Sequence, residues 1–382
     1  MPLVTVSILA FVTAITMIGP LLLDLSRELG VPLGQAGLLA AAMSLPWALG
    51  APFTGLLSDR LGRRPMIVLA LAGVGLATIV SAFAQDFATL LAARFAAGVF
   101  GAFGPASVMA AVGDLFPLRR RGMAMGWLNA GFGLAAVAGV PAVGIVGGLL
   151  GWRAAFAATG LVLIVLAVIF QLTFPLTKPS HEGSSLRQTY AAVLGVPLLG
   201  NVLVANLLER SIFNAAVLYL PPFLMLNYGL GAANVAPALA LVAIGTIVGN
   251  TLGGWLGDRF PRALVFVFAQ LSAGCLGLVL FGLTPGLVVS VLLGGLFGLT
   301  NASSRPAFLA LGSELSPRYR GALLGLLSLT NQGGTVLGSS LGGLAIGVGS
   351  YTTLAVLTIC GGLGAAALAV PLARAFARAS AD

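Results

Sequence analysis

GLLSDRLGRRP, residues 55–65, and GWLGDRFPR, residues 254–262, are two copies of one polar loop, each set between long apolar runs. Gly55 aligns with Gly254, Asp59 with Asp258 and Arg60 with Arg259, always 199 residues apart. The same offset carries RGMAMG, residues 121–126, onto RGALLG, residues 320–325. A chain that repeats itself at half its length is built from two copies of one unit.

Composition says where such a chain can live. Of 382 residues, 59% are hydrophobic and 8% charged, with a mean hydropathy of +1.07. A soluble domain carries about 25% charged residues, so this chain cannot cover a water-facing surface and belongs in a bilayer. Its 53 glycines follow no Gly-X-Y period. Instead Gly245, Gly249 and Gly253, and again Gly334, Gly338 and Gly342, recur four apart, the spacing at which helix backbones approach closely in lipid. Cys275 and Cys360 fall in apolar runs and read as buried small hydrophobes. His181 lies in the central polar stretch and reads as solvated. No metal-ligand cluster, nucleophile elbow or phosphate loop appears, so neither an enzyme nor a cofactor is expected.

The net charge of +9 does not point to nucleic acid. Most basic residues fall in one alternating set of loops, and only Arg27 and Arg153 in the other. That asymmetry marks the Arg-rich loops as cytoplasmic, with anionic lipid headgroups as a sufficient partner. A crossing helix needs about 20 apolar residues. Polar breaks then give spans near 3–23, 33–57, 65–84, 87–112, 122–149 and 154–174. A second six follows near 197–226, 233–256, 263–283, 287–311, 322–346 and 350–372. Two six-helix units, 1–174 and 197–382, are joined by a linker at 175–196 containing TKPSHEGSSLRQ, residues 177–188, with a short surface helix possible over 186–194. An even number of spans puts both termini on one side, and the charge pattern names that side as cytoplasmic.

The Asp-Arg loop at Gly55, Asp59, Arg60, Gly62, Arg63 and Arg64 resembles the signature of the major facilitator superfamily, with its weaker copy at Asp258 and Arg259. The resemblance covers the whole chain. It implies an all-α membrane protein of twelve helices, two pseudo-symmetric six-helix bundles that alternate access to a cavity between them. It also implies that the loop Asp braces one conformation against a helix N-terminus and basic residues of the same half. The bland alternative, a loop that only sets topology, needs neither the Asp nor the repeat.

LLAARFAAG, residues 90–98, resembles the family's fourth-helix motif, which nominates Arg94 for the cavity; the alternative is an Arg that snorkels to the outer surface. GVPAVGIVGG, residues 139–148, resembles the fifth-helix Gly-Pro motif of proton-driven exporters, though Val140 separates Gly139 from Pro141 before Gly144. This resembles the bacterial drug and sugar efflux branch. Span seven places Glu209 and Arg210 near mid-membrane, with Asn206 and Asn214 in register; neighbours on a helix project about 100° apart, so the two charges need not pair. Arg305, and Thr13 and Thr16 of span one, complete the cavity candidates. Of ten acidic residues, only Glu209 is placed deep in a span, which nominates it for proton coupling. The expected activity is proton-coupled export of a small organic solute by a monomer of the bacterial inner membrane. One rival is an organic-anion or lysolipid-like carrier; another, of a different class, is a transport-inactive sensor or assembly partner.

Overall fold

The computed structural model describes residues 2–115, 118–175, 193–315 and 320–379, and every regular element among them is helical. Residues 176–192, with His181 and most of the expected linker, lie outside the described residues. So do the side chains of Asp59 and Arg60, although their backbone, like that of Gly55, is helical. The helices fall into two compact units, Met1–Glu182 with Gly229–Ala240, and Gly183–Tyr228 with Leu241–Asp382.

In the first unit, α1 runs Pro2–Thr16 and resumes as Ile18–Glu28. It is followed by α2 (Leu38–Leu61) and α3 (Arg63–Ala82). Then α4 runs Phe87–Gly101 and Gly104–Leu115, α5 runs Leu118–Leu134 and Val140–Leu150, and α6 is Trp152–Thr173. The second unit holds α7 (Leu199–Tyr228), α8 (Ala236–Arg259, its first turn grouped with the first unit), α9 (Arg262–Leu283), α10 (Leu287–Leu315), α11 (Arg320–Val348) and α12 (Tyr351–Ala379). Eleven of these are long and apolar enough to cross a bilayer. The twelfth, α11, has the length at 29 residues, but Asn331, Gln332 and its glycines dilute its hydropathy.

Proline explains where the helices break. Pro20 cannot donate to the Thr16 carbonyl, and α1 interrupts at Met17. Pro105 does the same to α4, which breaks at Ala102–Phe103. Ahead of Pro141, α5 widens into a π turn, Ala135–Gly139, and the Val140 N–H reaches back five residues to the Ala135 carbonyl. A π turn relieves the proline ring of its clash with the preceding turn without ending the helix.

The decisive loop is a one-residue turn. α2 ends at Leu61 and α3 starts at Arg63, and Gly62 turns the chain at φ +92°, which favours glycine. In the second copy Pro261 stands in its place and starts α9 by accepting from the Leu264 and Val265 N–H groups.

Each unit uses the same helix pairs. α1 packs on α5, α3 on α6 and on α4, and α2 on α4; correspondingly α7 packs on α11, and α9 on α12 and on α10. The pairing of α8 with α10 is carried by glycine: a Cβ on Gly245, Gly249 or Gly253 would overlap the carbonyls of Gly295, Leu299 and Ser303. Gly334, Gly338 and Gly342 seat α11 on Arg210, Ser211 and Tyr219 of α7. Each unit buries its own apolar core, around Phe11, Leu71 and Phe170 in the first and around Phe266, Phe308 and Leu323 in the second. Cys275 on α9 and Cys360 on α12 correct the expectation of burial: both are exposed. An apolar helix facing lipid looks in sequence like one facing a core.

Candidate functional site

The densest cluster of charge inside the spans belongs to the second unit, at the middle of α7. Glu209 is 2% exposed, and its carboxylate is held by both Nε and a terminal nitrogen of Arg210. Arg305 on α10 adds a nitrogen at 3.3 Å from the same carboxylate. The two neighbours on α7 therefore do pair, which their 100° separation had left open, because the long arginine side chain reaches its neighbour on the same helix. Arg210 also approaches Asn301 Oδ1 at 3.3 Å and lies 4.8 Å from the centre of the Phe213 ring. Two arginines share one carboxylate, so the cluster carries one net positive charge.

The cluster extends as a polar chain. The Ser304 hydroxyl donates to the Asn301 carbonyl and receives the Gln270 side-chain N–H at 3.0 Å, linking α10 to α9. Asn301 Nδ2 and Gln270 Oε1 are buried and have no partner among the described residues. Buried amide groups of this kind are normally satisfied by ordered water, so the chain is suited to hydration. Sequence reasoning missed Gln270 and Asn301, whose polar side chains in spans were the available signal.

The other α7 candidates divide. Asn206 donates to the Leu327 carbonyl and the Thr330 hydroxyl on α11, so it fastens two helices. Asn214 is half-buried and donates to the Arg210 carbonyl on its own helix.

Arg94 in the first unit is fully buried, donating to the Ala14 carbonyl at 2.8 Å and lying against the Met43 sulfur and the Phe156 ring. It neither snorkels nor faces open space: α1 supplies it a backbone carbonyl. Thr13 is 6% exposed, and its hydroxyl meets Gly139 of the π turn. Thr16 is exposed and bonded back to the Val12 carbonyl. Pro141 is buried, and Gly144 leaves room for the Ala232 carbonyl and Pro20.

Both ends of the first unit are tied by polar contacts. At the Asp-Arg loop, Arg63 donates to Asp114 at 2.8 Å and to the Ser58 hydroxyl at 3.0 Å, joining α3 to the ends of α4 and α2. Arg64 donates to the Gln171 carbonyl on α6. At the opposite end Glu28 accepts from the Trp152 indole at 2.6 Å and from Arg153, which also reaches the Ala84 carbonyl. Neither Asp114 nor Glu28 was nominated by sequence, because each partner lies far along the chain. In the second copy Asp258 and Arg259 are exposed, and Arg259 stacks on Trp255 at 4.1 Å.

The chain matches the model of the Major Facilitator Superfamily over residues 4–339. It is 30% identical over 272 residues to the chloramphenicol resistance protein of Streptomyces lividans, covering 70% of this chain and 69% of that one. It is 32% identical over 263 residues to the inner membrane transport protein YdhP of Escherichia coli K12, covering 68% of this chain and 66% of that one. In fold it is similar, with a TM-score of 0.80 and 19% identity, to the inward-facing, unoccupied structure of a bacterial homologue of the human lysosomal transporter Spinster, covering 99% and 97% of the two chains. With these matches beside two copies of one six-helix pattern, the chain belongs to the Major Facilitator Superfamily, as a multi-pass membrane transporter of small molecules.

Proposed function

We propose that this transporter exports a drug-like or sugar-like organic solute in exchange for protons, as a monomer in the bacterial cytoplasmic membrane with both termini cytoplasmic. The observation that carries the reading is Glu209, buried at mid-span between Arg210 and Arg305. Ionised, it offsets one of two arginine charges; protonated, it leaves both uncompensated in a low-dielectric setting. Adding or removing one proton thus changes the electrostatics of the site by a full charge, which is what a coupling group requires. The relative named for chloramphenicol resistance supports the drug-like class. The π turn just ahead of Pro141 supports the exporter resemblance of α5. Gly55, Asp59, Arg60, Arg63, Arg64, Asp258 and Arg259 take the role of conformational braces, and the Arg63–Asp114 pair and the Arg64–Gln171 bond are the contacts that support it in the first unit.

The test is flux into proteoliposomes, with chloramphenicol as first probe. For molecules whose cytoplasmic face is outward, a lumen more acidic than the bath should drive accumulation, and collapse of the gradient should release it. Accumulation that ignores the gradient would remove the coupling. A second reading, an organic-anion or lysolipid-like carrier, is favoured by the excess of arginine over carboxylate in the cluster. It expects uptake of a carboxylate or lysophospholipid in the same vesicles while chloramphenicol is refused.

A further inference from the structure

Between α1, α5 and α6 of the first unit lies a groove of about 220 Å³, lined by residues that include Ala10, Thr13, Gly139, Ala142, Ala158 and Val162. Small side chains make the space, and Ala142, Ala158 and Val162 on α5 and α6 are exposed at its rim. No lining side chain is ionisable, so a charged guest would lose its hydration without compensation. One lining group is polar and unsatisfied. Thr13 is 6% exposed, its hydroxyl is directed at Gly139, another lining residue, and it has no hydrogen-bond partner among the described residues. A threonine in a helix usually bonds back to its own backbone, as Thr16 does three residues on. Thr13 does not. The space exceeds the ~150 Å³ cavities that take up benzene.

We propose that this groove is a binding site for an uncharged, ring-sized lipophilic molecule bearing one hydroxyl or carbonyl, with Thr13 as its hydrogen-bonding partner. The π turn contributes by widening α5 beside Thr13, and Gly139 by having no Cβ to collide with the hydroxyl, which is buried against it. The site lies within one unit and does not involve Glu209, so it stands or falls independently of proton coupling.

The experiment is photolabelling of the full chain in lipid nanodiscs with a trifluoromethyl-diazirinyl benzyl alcohol, followed by peptide mapping. Adducts should concentrate on the segments around Leu9–Thr13, Gly139–Val146 and Ala155–Val162, and excess benzyl alcohol should protect them. Thr13→Val keeps the shape and removes the hydroxyl, so protection by benzyl alcohol should weaken about fivefold, the worth of one neutral hydrogen bond, while protection by toluene is unchanged. Ala158→Phe, at the exposed rim, should abolish protection by both and keeps the test decisive if Thr13→Val does not fold. Labelling spread over the outer faces of all helices without saturation would overturn the site. So would saturable protection indifferent to Thr13→Val, which would identify the occupant as an ordinary lipid acyl chain.

Discussion

Arg94 carries its charge into a setting made by the Ala14 carbonyl, the Met43 sulfur and the Phe156 ring, and none of these is a carboxylate. Two of its guanidinium nitrogens have no partner among the described residues. Packing alone would be served better by an uncharged side chain, since a buried cation without a counter-charge costs free energy. Arg94→Met should therefore be neutral or stabilising by about 1–4 kcal/mol in thermal unfolding, while transport per folded molecule collapses. Lower stability with transport retained would make Arg94 a packing residue. Asp86 gives a contrasting case at the water interface. It caps α4 by accepting the Thr89 N–H at 2.8 Å and the Thr89 hydroxyl at 2.9 Å, and the backbone bond chiefly, then the hydroxyl, hold its carboxyl below the usual carboxylate range. A lowered folded value means that the cap contributes in full above the unfolded value, about 3.9, and is lost as pH falls through the folded one. Asp86→Ala should lower the melting temperature at pH 7, and the gap to the unaltered protein should close on acidification below the carboxylate range. A gap that does not change with pH would mean that the charge of the cap contributes nothing.

The closest helix approaches in this protein, α8 on α10 and α11 on α7, run through glycine, and one helix supplies both test and control. On α11, a Cβ at Gly338 would overlap the Ser211 carbonyl of α7, whereas one at Gly347 would meet nothing within 4 Å. Gly338→Ala should destabilise by about 1–3 kcal/mol through overpacking, and Gly347→Ala should be neutral or stabilising by up to about 1 kcal/mol through helix propensity. Denaturation of the two variants in the same detergent checks both signs. The four-residue glycine spacing was legible in the sequence because it reports close backbone approach directly. The break points were not legible: Pro20, Pro105 and Pro141 coincide with them, but Pro46, Pro52, Pro221, Pro222, Pro306 and Pro371 lie inside unbroken helices, so the outcome depends on what the neighbouring helices accommodate. The orientation of Cys275 and Cys360 was not legible either. With lipid on one side and packed helix on the other, both faces are apolar and no polar stripe fixes the rotation.

At the scale of the whole molecule, the two-unit plan was legible from one 199-residue offset, because a duplicated sequence repeats its helix pairs, as α1–α5 and α7–α11 do. The site was legible only in part. Glu209, Arg210 and Arg305 stood out as charges within spans. Their convergence on one carboxylate depends on the rotation of α10 against α7, which spacing along the chain does not encode. The same limit hid the pairing of Arg63 with Asp114 across 51 residues. That convergence makes Glu209 the point at which the coupling proposal is most exposed. Glu209→Gln keeps the size and one acceptor oxygen and fixes the side chain in its uncharged form. Breaking a buried ion pair from one side costs about 3–5 kcal/mol, and the retained acceptor should hold the loss near the lower end. A second variant, Glu209→Gln with Arg305→Gln, lowers the uncompensated charge and should recover part of that stability. If Glu209 carries the proton, neither variant should concentrate substrate under a pH gradient, yet both should bind it and exchange it downhill. Should the folded single or double variant still accumulate substrate against its gradient when the lumen is acid, Glu209 is a structural ion-pair partner and the coupling proton travels elsewhere.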